Sequence, residues 1–261
     1  MNATEVRRRW LKLLAALLAV LLFGAMGMYQ LMNARTFQLA GELTDRVATD
    51  EKVVALTFDD GPDEHTPEII DILAEQRVRA TFFVIGSQVE ARPQDAQALV
   101  AGGHQLANHT YTHRRMVFVS PATVASEVER ADAAIRMAGQ RGEIPFRPPT
   151  GKKLLVLPLY LADNQRRTVM WDVEPDSGTT PTAAEIVAAV RKETRPGSII
   201  LLHPWYASGR NTREAIKGLI TGLRDQGYRF VTVSELLAGR GDQAPSGWGW
   251  RFSISGASRH M

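Results

Sequence analysis

Two adjacent carboxylates, Asp59 and Asp60, follow the apolar run Val53-Val54-Ala55-Leu56-Thr57-Phe58 and lead straight into Gly61-Pro62. Such a run reads as a buried strand, so the pair sits at its carboxyl edge, where α/β folds gather their chemistry. Successive strand side chains point to opposite faces, so the two aspartates should differ in role, one on a metal and one a base, unless the backbone bends there. Alone, Asp-Asp-Gly-Pro is equally a polar turn. His109 and His113 add context, lying four apart in Asn108-His109-Thr110-Tyr111-Thr112-His113. On one helical turn they would share a face, and two imidazoles with one carboxylate make a three-ligand set with open positions, as in catalytic zinc. His203 ends a further apolar run, Ile199-Ile200-Leu201-Leu202. Its unperturbed pKa near 6.5 suits proton transfer to a leaving amine, or the ring simply caps the strand. Arg147, between Pro145-Phe146 and Pro148-Pro149, has a stiffened backbone and could orient a carboxylate through a bidentate pair.

Positioning these residues requires strands, and the runs recur at Thr81–Ile85, Thr168–Trp171, Ser198–Leu202 and Phe230–Val233. Helix starts fall between them: Thr66-Pro67, Ser120-Pro121 ahead of Ala122–Met137, the capping box Thr182-x-x-Glu185, and a stretch from Thr212 to Gln226 closed by Gly227. This alternation predicts an α/β fold with a central parallel sheet, open or closed into a barrel. The chain has no cysteine, so disulfides and thiolate metal sites are excluded and a metal must be held by His, Asp or Glu. The net charge is only +3 and forms no basic stripe, which gives no indication of a nucleic-acid partner.

Leu13 to Asn33 is uncharged and largely apolar, preceded by Arg7, Arg8, Arg9 and Lys12 and followed by the mixed charges of Arg35, Glu42, Asp45 and Arg46. Roughly 20 apolar residues span a bilayer. The basic flank places the N-terminus in the cytoplasm and the remainder outside. No convincing Ala-x-Ala site follows, so an uncleaved anchor is favoured over a signal peptide. The expected layout is a basic N-terminus at 1–12, a transmembrane anchor at 13–33, a stalk at 34–50, a catalytic domain at 51–240 and a tail at 241–261.

Taken together, Thr57-Phe58-Asp59-Asp60-Gly61-Pro62, His109-Thr110-x-x-His113, Arg147-Pro148-Pro149 and Leu201-Leu202-His203 resemble the motif series of the NodB-homology polysaccharide deacetylases, carbohydrate esterase family 4, over Lys52 to Ala238. The resemblance implies a distorted (β/α) barrel with fewer units than the eight-fold version, and hydrolytic N-deacetylation of an amino-sugar polymer. It gives Asp60, His109 and His113 to a divalent metal, zinc foremost, although cobalt, nickel or manganese also suit these donors. Asp59 would be the general base, His203 the general acid, and Arg147 would hold and tune Asp59. A backbone N–H near Thr150 would meet the oxyanion.

Two departures stand out. Thr150 replaces a tyrosine found in many members, and Trp171-Asp172-Val173-Glu174-Pro175-Asp176-Ser177 replaces the usual Asp-x-x-Asp-Trp. Glu174 and Asp176 are therefore both candidates to tune Arg147, Asp176 preferred for its shorter reach. Trp171 reads as buried wall, Trp205 and Tyr206 as either a sugar-facing wall or loop packing, His65 and His104 as structural or exposed, and His260 as tail. The altered stretch also motivates a second reading, a membrane-tethered glycan-binding protein on an inactive fold; a third keeps the metal but acts on O-acetyl esters or non-sugar amides.

Overall fold

The computed structural model describes residues 2–178 and 181–239. The tail at 241–261, with His260, lies outside the described residues. Helix α1 (Ala3–Asn33) opens the chain, and the α/β fold follows as β1 (Leu43–Thr44), β2 (Val53–Asp59), α2 (Thr66–Glu75), β3 (Thr81–Val84), α3 (Gly86–Ala91), α4 (Pro93–Ala101), β4 (Gln105–Asn108), α5 (Pro121–Met137), α6 (Val156–Asp163), β5 (Thr168–Val169), α7 (Ala183–Glu193), β6 (Ile199–Leu202), α8 (Arg210–Asp225), β7 (Arg229–Val231) and α9 (Val233–Ala238).

The named strands pair in parallel. The order β4-β3-β2-β6 forms one wall, and β7 also joins β2. Single parallel bridges carry the ring onward: Asn108 with Phe146, Phe146 with Thr168, and Val173 with Ile200. This is the expected distorted α/β barrel, in which isolated residues at Phe146 and Val173 stand in for full strands. Strand β2 is buried along its whole length, as a parallel strand covered on both faces must be. Its Val54, Leu56 and Phe58 pack outward with Ile69, Leu73 and Ile216 of the helical layer, whereas Val53 and Ala55 face inward with Phe83, Val169 and Leu201. The period of two therefore continues through Thr57 to send Asp59 into the barrel mouth.

Several boundaries differ from the sequence expectation. Strand β4 has polar ends, Gln105 and Asn108, and so breaks the apolar pattern. The run ending in Val233 stops earlier, because Thr232 and Glu235 form a capping box that starts α9. The stretch 34–50 is no free stalk: Gln38 and Val47 are buried, Val47 joins the inner core, and β1 pairs with β5. Its contacts combine main-chain bonds with single charged side chains such as Arg35, Glu42 and Arg46, which leaves no hydrophobic period to read. Helix α1 is long and apolar enough to cross a membrane over Arg7–Asn33, with mean hydropathy 2.2 in its apolar window and none of that window buried.

Candidate active site

The carboxyl ends of the strands converge on one cavity of about 400 Å³, lined by Asp59, Asp60, His109, His113, Thr150, Trp171 and His203 among others. Phe58 pairs with Leu202, so Asp59 and His203 leave their strands at the same level. Asp60 adopts a left-handed backbone with φ 79°, the bend that turns its carboxylate toward the mouth beside Asp59 rather than away from it. The next residue must be glycine for packing reasons. A Cβ on Gly61 would lie 2.2 Å from the ring of Trp205, whose indole N–H donates to the Asp59 carbonyl. Gly61→Ala should therefore lower stability by about 1–3 kcal/mol or more, as overpacking does, read from thermal unfolding; an unchanged melting temperature would contradict the tight contact.

Asp59 is nearly inaccessible and meets Arg147 Nη1 at 2.6 Å. The fully buried guanidinium is otherwise satisfied by Thr57 Oγ1 at 2.9 Å, Val169 O at 3.2 Å and Met170 O at 3.1 Å, and it lies over the Phe83 ring at 3.9 Å. Burial pulls Arg147 below the ordinary arginine value, opposed by the charges of Asp59 and Glu174. It remains a cation, since arginine does not deprotonate in proteins.

The histidine pair is not on a helix. His109 follows β4 directly, and left-handed residues at Thr110 and His113 fold the loop back, so that the rings stand 5.1 Å apart. Asn108 Oδ1 accepts from Thr110 N, and the Glu127 carboxylate on α5 accepts from Tyr111 N, Thr112 N and Thr112 Oγ1. Those two residues, which spacing alone did not point to, hold the loop. The bond between His109 Nδ1 and Arg147 O, 2.8 Å, requires the proton on Nδ1, because a carbonyl only accepts. In the neutral ring Nε2 then turns a lone pair toward Asp60 Oδ1, 3.4 Å away, with His113 Nε2 at 3.0 Å from the same oxygen. Asp60 Oδ1 is buried without a hydrogen-bond partner. Although burial opposes it, the two histidines hold Asp60 well below the usual carboxylate range, and His113 is raised chiefly by Asp60. Three donor atoms within 4.8 Å of one another, all able to present lone pairs, fit a divalent cation.

On the far side His203 is about one-third exposed, with Nδ1 3.3 Å from Asp176 Oδ1. Asp176 Oδ2 also accepts from the His203 backbone N–H and from Thr212 Oγ1. Burial pulls the imidazole down, yet the Asp176 hydrogen bond and the charges of Asp59, Asp176 and Asp60 win, and it is pushed up to about 9.

Residues 46–167 match the family profile described as Polysaccharide deacetylase. A chitooligosaccharide deacetylase from Sinorhizobium fredii is 40% identical over 195 residues, covering 70% of this chain and 91% of the relative. The chain belongs to the NodB-homology polysaccharide deacetylases, carbohydrate esterase family 4. Two solved structures of this family are similar in fold. An acetyl xylan esterase from Clostridium thermocellum, in complex with a cobalt ion, is 33% identical at a TM-score of 0.65 and covers 72% of this chain and 91% of that one. A family pseudoenzyme from Bacillus anthracis is 30% identical at a TM-score of 0.69, with coverage of 76% and 70%.

Within this deacetylase fold one expectation needs correction. Asp176 does not approach Arg147 but pairs with His203, because the Glu174–Ser177 segment follows Val173 along the edge of β6 rather than crossing the mouth. Glu174 does not touch Arg147 either, acting on it only through its field while bonding Trp171 Nε1 and Ser177. Trp171 is buried in the cavity wall. Trp205 is core packing, and half-exposed Tyr206 lines an adjoining pocket with His203. His104 is buried and structural, its Nδ1 accepting from Ala80 N, while His65 stands near Glu64 and Glu68 at the start of α2.

Proposed function

We propose that this chain hydrolyses N-acetyl groups from an amino-sugar polymer, with α1 as a membrane anchor whose N-terminus is cytoplasmic. The observation carrying this reading is the convergence at one mouth of three ligand-type donors, the Asp59–Arg147 pair and the Asp176–His203 pair. The 40% identical relative, named as a chitooligosaccharide deacetylase, supports the amide substrate. The basic cluster Arg7, Arg8, Arg9 and Lys12 supports the orientation.

Asp60, His109 and His113 would hold the divalent ion, zinc being best suited to this donor set. When bound, such an ion polarises the acetyl carbonyl and makes water a competent nucleophile at neutral pH. Asp59 takes the proton of the attacking water, its carboxylate aimed by Arg147. Thr150 lines the cavity in the turn after Pro148, and its backbone N–H would donate to the developing oxyanion. His203 gives its proton to the departing nitrogen as the carbon–nitrogen bond breaks, leaving acetate and a free amine, and Asp176 fixes its Nδ1–H so that Nε2 serves the substrate.

The full chain in detergent, loaded with zinc, should release acetate from N-acetylglucosamine oligomers and lose that activity on chelation. Release from acetylated xylan alone would move the reading to esters, and tight oligomer binding with no turnover on either substrate would move it to an inactive binding protein. The pH profile carries a further expectation. His203 has a folded-state value raised above 6.5, so its protonated form, and the stability that form adds, is fully present below 6.5 and lost as pH rises through about 9. Turnover should fall along an alkaline limb near that value, and Asp176→Asn, by replacing a negatively charged acceptor with a neutral amide, should move the limb to lower pH. A limb unmoved in the variant would remove this pair from the acid role.

A further inference from the structure

The mouth is not walled by the barrel alone. Asn33, the last residue of α1, and Arg35 line the same cavity as the proposed metal ligands. The connection is pinned from behind by the loop that follows Arg147: Lys152 Nζ donates to Asn33 Oδ1 at 2.5 Å, the buried Lys153 donates through Nζ to Ala34 O at 2.5 Å, and its backbone N–H reaches Met32 O at 3.3 Å. Cationic side chains at a helix C-terminus complement its unsatisfied carbonyls and dipole. In front, Arg35 Nη2 lies 2.7 Å from Glu174 Oε2, and the guanidinium stacks 4.9 Å from the Trp171 ring centroid. Glu174 is mostly buried and is held in turn by Trp171 Nε1 at 2.8 Å and Ser177 at 2.8 Å, whereas the Arg35 side chain is half exposed.

A guanidinium offers five N–H donors in a rigid fork. Glu174 takes one, and the stacking on Trp171 fixes the plane of the others at the lip of the cavity. We propose that Arg35 is a substrate-binding residue, so that the segment leaving the membrane helix supplies one wall of the glycan site and donates hydrogen bonds to the oxygens of the sugar being deacetylated. The inference rests on the deacetylase reading for its substrate and on this chain's own seam for its residue. Glu174 thereby gains a purpose as the anchor of Arg35, in a stretch that departs from the usual family pattern.

The test uses the full chain in detergent micelles with the tetramer of N-acetylglucosamine. Arg35→Ala should raise KM about ten-fold or more, as loss of a charged hydrogen bond does, while kcat stays within about three-fold. Arg35→Lys should recover part of the loss, since it keeps the charge without the fork. A residue that merely ties α1 to the domain would instead lower the melting temperature and leave KM within two-fold of wild type, and that result overturns the proposal. If the wild type releases no acetate, the deacetylase reading fails by itself, and calorimetric binding of the tetramer to wild type and Arg35→Ala then decides the Arg35 proposal: a ten-fold loss of affinity sustains it, and equal affinity, or no binding to either, ends it.

Discussion

Asp59→Asn is expected to lower kcat for acetate release by about 10²–10⁴-fold, the range that a positioned general base contributes, while the protein still binds its metal. Amide for carboxylate preserves the shape and removes the proton acceptor. The substitution also strips the buried Arg147 of its anion, and removing one partner of a buried ion pair costs about 3–5 kcal/mol. Arg147 retains Thr57 Oγ1 and the carbonyls of Val169 and Met170, so the stability loss should fall toward the lower end of that range. Metal content, a melting curve and kcat measured on one preparation separate the two effects. Wild-type turnover by a folded, metal-loaded Asp59→Asn protein would exclude Asp59 as the base.

His109→Ala is expected to remove metal and activity together. Loss of a partner one shell out from a metal typically lowers affinity or activity 10–100-fold, and loss of a direct ligand should exceed that. His109 is also the better preset of the two imidazoles, being buried with its tautomer fixed by Arg147 O, whereas His113 is one-third exposed. The alanine variant should therefore require far more added zinc than wild type to regain any turnover, as measured by metal analysis after dialysis and by activity against zinc concentration. Unchanged stoichiometric zinc in His109→Ala would place the ion elsewhere.

The parts of the site that lie at strand ends were legible because an apolar run followed by a polar residue is a local signal. Asp59, Asp60 and His203 carry it, whereas His109 stood out only by its four-residue spacing from His113, and the structure brings all four to one cavity. Less legible were features set by contacts between distant segments. Periodicity reports that a segment is buried, not which segment lies beside it, so the partner of Asp176 could not be read and was expected to be Arg147. The turn that joins His109 to His113 depends on positive φ at Thr110 and His113, enforced by Asn108 and by Glu127 from another helix. Four-residue spacing could not tell that turn from a helix. The stretch 34–50 was opaque for a third reason: it is tied to the domain by main-chain bonds and by single charged side chains, Arg35, Glu42 and Arg46, which follow no period.

That stretch has a consequence for where the chain can work. In the proposed anchored state, with β1 bonded to β5, the mouth would have no slack leash and would ride at a fixed height above the lipid. Phe37 and Leu39 just past the helix, and Leu155 and Leu159 at and on α6, are exposed apolar side chains. Under that proposal a glycan would have to come to the membrane surface to be processed, and only the polymer strands nearest the lipid would fall within range. Encounters would then be governed by how the protein drifts sideways in the membrane plane.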